Sequence, residues 1–305
     1  MRINKIVGIG ANVFDTLYSV DNYPTEDTKM RANAVKSSGG GPCATGLVAA
    51  SKLGETCAFI GNMTDDNGGK FLKADFEKYG VDTNYITILP GLDSFCSCIW
   101  LAKESASRTC VFFRGNVPPT KVDETKGEAI KNADILMVDG NDMGAAIEGA
   151  TIAKENGTKV LYDAGGLYEG VERLLPFSDI LIPSEEFAIG HTKAKTAEEA
   201  AKILFKKYSP EVVIITQGKK GGIIFDGKTV TPYPAFLVDA VDSNGSGDVF
   251  HGAFAFATVR KMDYLAASVF SSAVSAIKCT KVGAREGVPT YNETIEFLKE
   301  RGYNV

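Results

Sequence analysis

Val241-Asp242-Ser243-Asn244-Gly245-Ser246-Gly247-Asp248-Val249-Phe250-His251-Gly252-Ala253-Phe254 is the most informative run of residues in the chain. Gly245, Ser246 and Gly247 can bring consecutive backbone N–H groups close to an anion. The apolar run after them opens a helix whose N-terminal dipole favours negative charge. Asp248 falls in the first turn of that helix. Carboxylates are common there, so this segment alone leaves two readings open: a residue that complements the dipole, or a reacting carboxylate.

Upstream, short apolar runs at 5–9, 57–60, 135–138, 159–162, 180–182 and 212–216 read as buried strands. Segments of helical length and period lie between them at 42–53, 69–79, 145–156 and 197–208. Strand and helix in alternation predict an α/β fold, a mostly parallel sheet covered by helices on both faces. Two segments break the rhythm. Residues 17–36 are polar and irregular, and 95–101 with 108–113 predict an antiparallel hairpin. Together, about 17–36 and 93–115 predict a small β-lid over the strand ends, the plainer alternative being surface hairpins that merely connect. The last third turns helical, at 247–261, 264–279 and 292–302, and the whole reads as one domain over 1–305.

Composition bounds the function. With 305 residues, 44% apolar, 33 Lys and Arg against 38 Asp and Glu, the chain is globular and mildly acidic, at −5. A dense basic surface for nucleic acid is absent, so binding of that class is excluded. Residues 1–10 are too short and Gly-broken for a signal peptide or membrane span and read as a strand. Six cysteines without a Cys-x-x-Cys pair, and only two histidines, argue against structural zinc and for reduced thiols in the cytoplasm. Gly8-Ile9-Gly10-Ala11-Asn12-Val13 starts as a dinucleotide fingerprint would, but Val13 stands at the third glycine. Gly69-Lys70 is followed by Phe71 and preceded five residues earlier by Thr64, so no Walker A loop exists.

Asp-Ser-Asn-Gly-Ser-Gly-Asp before an apolar helix resembles the C-terminal signature of PfkB (ribokinase-like) carbohydrate kinases. Four further segments resemble the family in order: Gly39-Gly40-Gly41-Pro42-Cys43-Ala44-Thr45, Gly61-Asn62-Met63-Thr64-Asp65-Asp66-Asn67-Gly68, Ile214-Ile215-Thr216-Gln217-Gly218 with Gly221, and Lys278-Cys279-Thr280-Lys281-Val282-Gly283-Ala284. The resemblance implies a ribokinase-like fold and transfer of the γ-phosphate of ATP to a sugar hydroxyl. Asp248 would be the general base and Gly245, Ser246 and Gly247 the anion hole. Asp15, placed at the end of the first strand, with Gly40, Gly41 and Thr45, would bind the sugar. Thr216, Gly218, Gly221 and Gly283 would bind the nucleotide. Mg²⁺ is implied with ATP, and Glu185 stands near the place of the family's Asn-x-x-Glu motif, here Ser184-Glu185-Glu186-Phe187. Asp242 and Asn244 match positions beside a monovalent cation such as K⁺, with Asn where Thr is commoner.

The motif pattern is most similar to the branch containing sulfofructose kinases. Lys29, Arg31, Arg108 and Arg114, on the lid segments, would then clamp a phosphate or sulfonate at the far end of an anionic sugar. A nucleoside acceptor is a further alternative. His251 and Met137 are expected to be structural, and a homodimer through the lid is implied by relatives and by the apolar strand 95–101. From another class, the same fold without turnover would make a sugar or nucleotide sensor.

Overall fold

The computed structural model describes residues 3–105 and 107–303, so Met1, Arg2, Ala106, Asn304 and Val305, although part of the predicted 1–10 segment, lid and domain, lie outside it. Its strands are β1 (Ile6–Ile9), β2 (Val13–Val20), β3 (Ala34–Gly40), β4 (Cys57–Phe59), β5 (Gly61–Thr64), β6 (Ile86–Leu89), β7 (Cys96–Ala102), β8 (Ser107–Phe113), β9 (Ile135–Val138), β10 (Lys159–Ala164), β11 (Ile180–Pro183), β12 (Val212–Thr216), β13 (Gly222–Phe225) and β14 (Val230–Tyr233). The helices are α1 (Pro42–Lys52), α2 (Asn67–Lys78), α3 (Glu124–Lys131), α4 (Met143–Asn156), α5 (Val171–Leu174), α6 (Glu185–Thr192), α7 (Ala197–Tyr208), α8 (Ser246–Val259), α9 (Tyr264–Cys279) and α10 (Tyr291–Lys299).

Eight strands form the main sheet in the order β14-β13-β12-β11-β10-β9-β1-β4. It is parallel from β12 to β4, and the hairpin of β13 and β14 adds an antiparallel edge that the sequence reading did not anticipate. Alternate side chains of each inner strand feed two cores. Ile6, Met137, Leu161 and Ile214 pack with α1, α8 and α9, while Val7, Leu136, Val160 and Val213 pack with α4 and α7. A parallel sheet buried on both faces needs such continuous apolar runs. Because the parallel strands point one way, the segments after β1, β9, β10, β11 and β12 emerge along one edge, where ligands bind in folds of this class.

A second sheet, β3-β2-β7-β8, is the lid. Its first half corrects the expectation of an irregular 17–36. The lid strands are Val13–Val20 and Ala34–Gly40, and only the link between them is irregular. Asp15 accordingly lies within β2 and not at the end of the first strand. The alternating burial of β2 is the signature of a half-buried strand, which its polar Asp15, Thr16 and Ser19 mask in the sequence.

Arg285 joins these parts. Fully buried, it pairs with Asp75 of α2 at 2.6 Å and donates to Asn12 Oδ1 at 2.9 Å and to the Gly40 carbonyl at 2.6 Å. Removing one partner of a buried ion pair leaves the other uncompensated. Arg285→Met should therefore lower the unfolding free energy by roughly 3–5 kcal/mol in urea titrations. A loss below about 1 kcal/mol, the range of an exposed pair, would refute the role given to it.

Candidate active site

The loop before α8 is built for an anion. Gly245 caps the helix with φ 72°, a left-handed conformation, and a Cβ there would stand 2.7 Å from that of Ala284. Gly247 faces open space, since a Cβ added to it would meet nothing within 4 Å. The helix has no side-chain cap; the Ser246 amide donates to the Ser243 carbonyl at 3.2 Å, and the amides of Gly245 and Gly247 have no hydrogen-bond partner among the described residues. Helix α1 shows the contrast. It also starts after a positive-φ glycine, Gly41, but the buried Asp139 carboxylate accepts from Cys43 N at 3.0 Å, together with Ala11 N and Asn141 N. Asp248 is the third residue of α8 and only partly exposed, and the shielding from water raises its pKa, opposed by His251 nearby.

Behind the loop, Asp242 holds the backbone. Its carboxylate accepts from Asn244 N at 2.8 Å and from Gly283 N at 2.9 Å. Its carbonyl accepts from Lys278 Nζ at 2.8 Å, and the Asn244 carbonyl accepts from the same ammonium. Arg108 reaches across from β8 to Asn244 Oδ1, so the lid touches the anion-hole loop directly. Gly283, expected at the nucleotide, thus anchors this loop from behind.

The nucleotide side has a cleft of about 120 Å³. Thr216, Gly218, Gly221, Ser246 and Gly247, all expected, line it with Tyr233, Phe250, Ser272 and Ser275, which were not. Gly218 (φ 56°) and Gly221 (φ 83°) make the turn after β12. Glu185 starts α6 at the end of β11, half-buried, and accepts from Gln217 Nε2 at 2.7 Å. His251 is structural as expected. Its Nδ1 faces the Gly247 carbonyl at 2.6 Å and its Nε2 that of Ile182 at 3.0 Å, with Asp163 Oδ2 3.2 Å away. The ring thereby ties α8 to β11 and lies beside Asp163 of β10.

On the lid side, Asp15 is buried, accepts from Ser97 Oγ at 2.6 Å and is pushed up to about 6 by burial. Gly40 is forced by it, because a Cβ there would stand 2.0 Å from Asp15 Oδ2. Thr45 is fully buried in α1, and its hydroxyl has no protein partner among the described residues. Arg114 reaches Asn141 Oδ1 at 3.3 Å and lines a larger cavity of about 380 Å³ with Asn12, Thr64, Ser94 and Asn141. Lys29 and Arg31, in contrast, lie exposed between β2 and β3, and no hydrogen bond or ion pair among the described residues brings them to the site. None of the six cysteines is in a disulfide, no helix among the described residues is long and apolar enough to cross a membrane, and none of those residues form a cluster of three or more His, Cys, Asp or Glu fit for a metal.

Sequence reasoning missed Asp139, Asp163, Lys278 and Arg285 as parts of this site. Lys278 carried a usable signal. It continues the buried stripe Ala267, Phe270, Val274 at helical spacing, where a lysine needs a polar partner.

Comparison with known proteins shows the family of the chain. The family model described as pfkB family carbohydrate kinase matches residues 4–291. A ribokinase of Haemophilus influenzae is 29% identical over 297 residues, covering 95% of this chain and 97% of the relative. A 5-dehydro-2-deoxygluconokinase of Clostridium botulinum is 26% identical over 312 residues, covering 93% and 91%. The solved structure of Arabidopsis thaliana ribokinase complexed with ribose and ATP superposes with a TM-score of 0.86 at 22% identity, covering 98% and 99%, which shows the shared fold. With its Gly-rich anion loop, its carboxylate on the first turn of α8 and nearly its whole length matched, this chain belongs to the pfkB family of carbohydrate kinases.

Proposed function

We propose that Asp248 takes the proton from the sugar hydroxyl that attacks the γ-phosphate of ATP, while the amides of Gly245, Ser246 and Gly247 receive the charge that shifts onto the phosphate oxygens. The observation that carries this is the juxtaposition on one helix start of the unpartnered Gly245 and Gly247 amides and a partly shielded carboxylate, with the cleft of Thr216, Gly218 and Gly221 alongside. Phosphoryl transfer asks for in-line positioning and charge stabilisation more than for covalent chemistry. A carboxylate whose pKa is raised is a better base than one at its ordinary value.

ATP enters from the cleft beside Thr216, Gly218 and Gly221. Mg²⁺, when bound, neutralises β/γ-phosphate charge. Glu185 fits it in chemistry, a half-buried carboxylate beside the turn after β12, most other ligands of this ion being phosphate oxygens and water. Asp15 and the backbone at Gly40 and Gly41 orient the sugar, with Thr45 beneath. Arg114 in the wall of the 380 Å³ cavity favours, as a second reading, an acceptor with an anionic far end.

We also propose that a second copy covers the outer face of the lid. Opposite Asp15 and Ser97, the sheet turns Val35, Tyr18, Trp100 and Thr109 outward in one row, with Val111 and Phe113 in the next ones. Val35, Val111 and Phe113 are each more than half exposed, an apolar surface on a sheet whose edge strand β8 is uncovered.

Asp248→Asn should lower kcat by roughly 10²–10⁴-fold with ATP binding kept, measured as ADP release over a panel of free hexoses, pentoses, ketose phosphates, sulfosugars and nucleosides. Near-normal turnover would remove Asp248 as the base, and a native protein that binds ATP but turns over no acceptor would favour the sensor. Asp15 accepts best from sugar hydroxyls when ionised, so the sugar KM should rise as pH falls through about 6, and the profile should flatten in Asp15→Asn. An unchanged profile in that variant would assign the titration elsewhere. Light scattering should give a dimer that Val111→Glu converts to a monomer; a native monomer would defeat the lid interface.

A further inference from the structure

The family resemblance puts a monovalent cation beside the anion hole, at Asp242 and Asn244, and the residues present do not fit one. The carbonyl oxygens of both accept from Lys278 Nζ. Both oxygens of the Asp242 carboxylate are engaged by Asn244 N and Gly283 N, and Asn244 Oδ1 is engaged by Arg108. The facing loop is used in the same way, because the carbonyls of Arg285 and Glu286 accept from Lys52 Nζ at 3.2 and 3.1 Å. A K⁺ ion stripped of water needs a cage of such oxygens. Here ammonium groups already hold them.

We propose that Lys278 is a tethered cation that replaces K⁺, so that phosphoryl transfer in this protein is independent of monovalent salts. This rests on the kinase reading above. Lys278 is a positioning residue, since it reaches the loop and not the substrate. Its side chain is fully buried at the end of α9, and an ammonium there fixes the curvature of the 242–244 backbone that aims the following amides. It also places a positive charge under the loop where the transferred phosphoryl group gathers negative charge. A covalently attached cation does this at any salt concentration and cannot dissociate.

The test compares the native protein with Lys278→Ala, which opens the space for an ion, and Lys278→Met, which fills it without charge. Each is assayed and thermally melted in potassium chloride and in tetramethylammonium chloride at equal ionic strength. The native kcat and Tm should be the same in both salts. Lys278→Ala should lose about 10²-fold in kcat in tetramethylammonium, with sugar KM kept, and recover with K⁺ or NH₄⁺ while its Tm rises saturably. Lys278→Met should show the loss without recovery. Activation of the native protein several-fold by K⁺, or full activity of folded Lys278→Ala without it, would overturn the proposal. If no sugar is turned over by the native protein, the kinase reading fails, and the melting series in the two salts still decides the cation: a native Tm that rises with K⁺ overturns the tether, and a rise confined to Lys278→Ala supports it.

Discussion

A guanidinium removed from water needs partners for its N–H groups, and Arg285, although its Nε has none among the described residues, organises the lid side of this molecule through the ones it finds. Its two terminal nitrogens take Asp75, Asn12 and the Gly40 carbonyl, and its plane lies 5.3 Å from the centre of the Phe76 ring. Three elements far apart in sequence, β3, α2 and the loop after β1, are thereby fixed to the segment after α9. The glycines of 39–41 follow from this. A Cβ on Gly39 would lie 2.1 Å from the guanidinium, one on Gly40 would meet Asp15, and Gly41 turns the chain with φ 91° into α1. The triplet is first a consequence of packing a charge network tightly, and the close approach of backbone to a sugar is what that packing leaves available.

Seven residues before Arg285, Lys278 does for the phosphate side what Arg285 does for the lid side. One segment thus carries both buried cations, and Asp242 and Gly283 tie it to the anion-hole loop between them. Burial lowers the pKa of Lys278, and the nearby Asp242 opposes that shift, so the ammonium is retained through its neighbours and its two carbonyl partners. The same economy appears at His251, whose two carbonyl contacts and Asp163 connect α8 to β10 and β11.

The sequence was most legible where physics is local. Strands 135–138 and 212–216 and helix 197–208 have the bounds expected from periodicity, because a strand buried on both faces is a continuous apolar run and Thr196 caps α7 directly. The anion loop was legible because glycine spacing and helix onset lie in one stretch. The lid strand β2 was not, since its inward face carries Asp15 and half its residues are polar. Long-range polar contacts were illegible for a related reason. Nothing adjacent to Asp139 shows that it caps α1 across the sheet, at a separation of 96 residues, and nothing adjacent to Lys278 names the carbonyls it meets. A buried charge can be suspected from an apolar helical stripe, but its partner is set by topology.

The period of the lid strands joins these two halves. Successive residues of β2 and β7 face opposite ways, so Asp15 and Ser97 point inward in register while Tyr18 and Trp100 point outward. At the edge, Arg108 leaves β8 for Asn244, on the loop that Lys278 holds from below. The lid thus places a positive charge near Asp248, which opposes the rise in that carboxylate's pKa caused by its shielding from water. One sheet therefore carries both the buried Asp15, on its inward face, and Arg108, the side chain that ties it to the loop before α8.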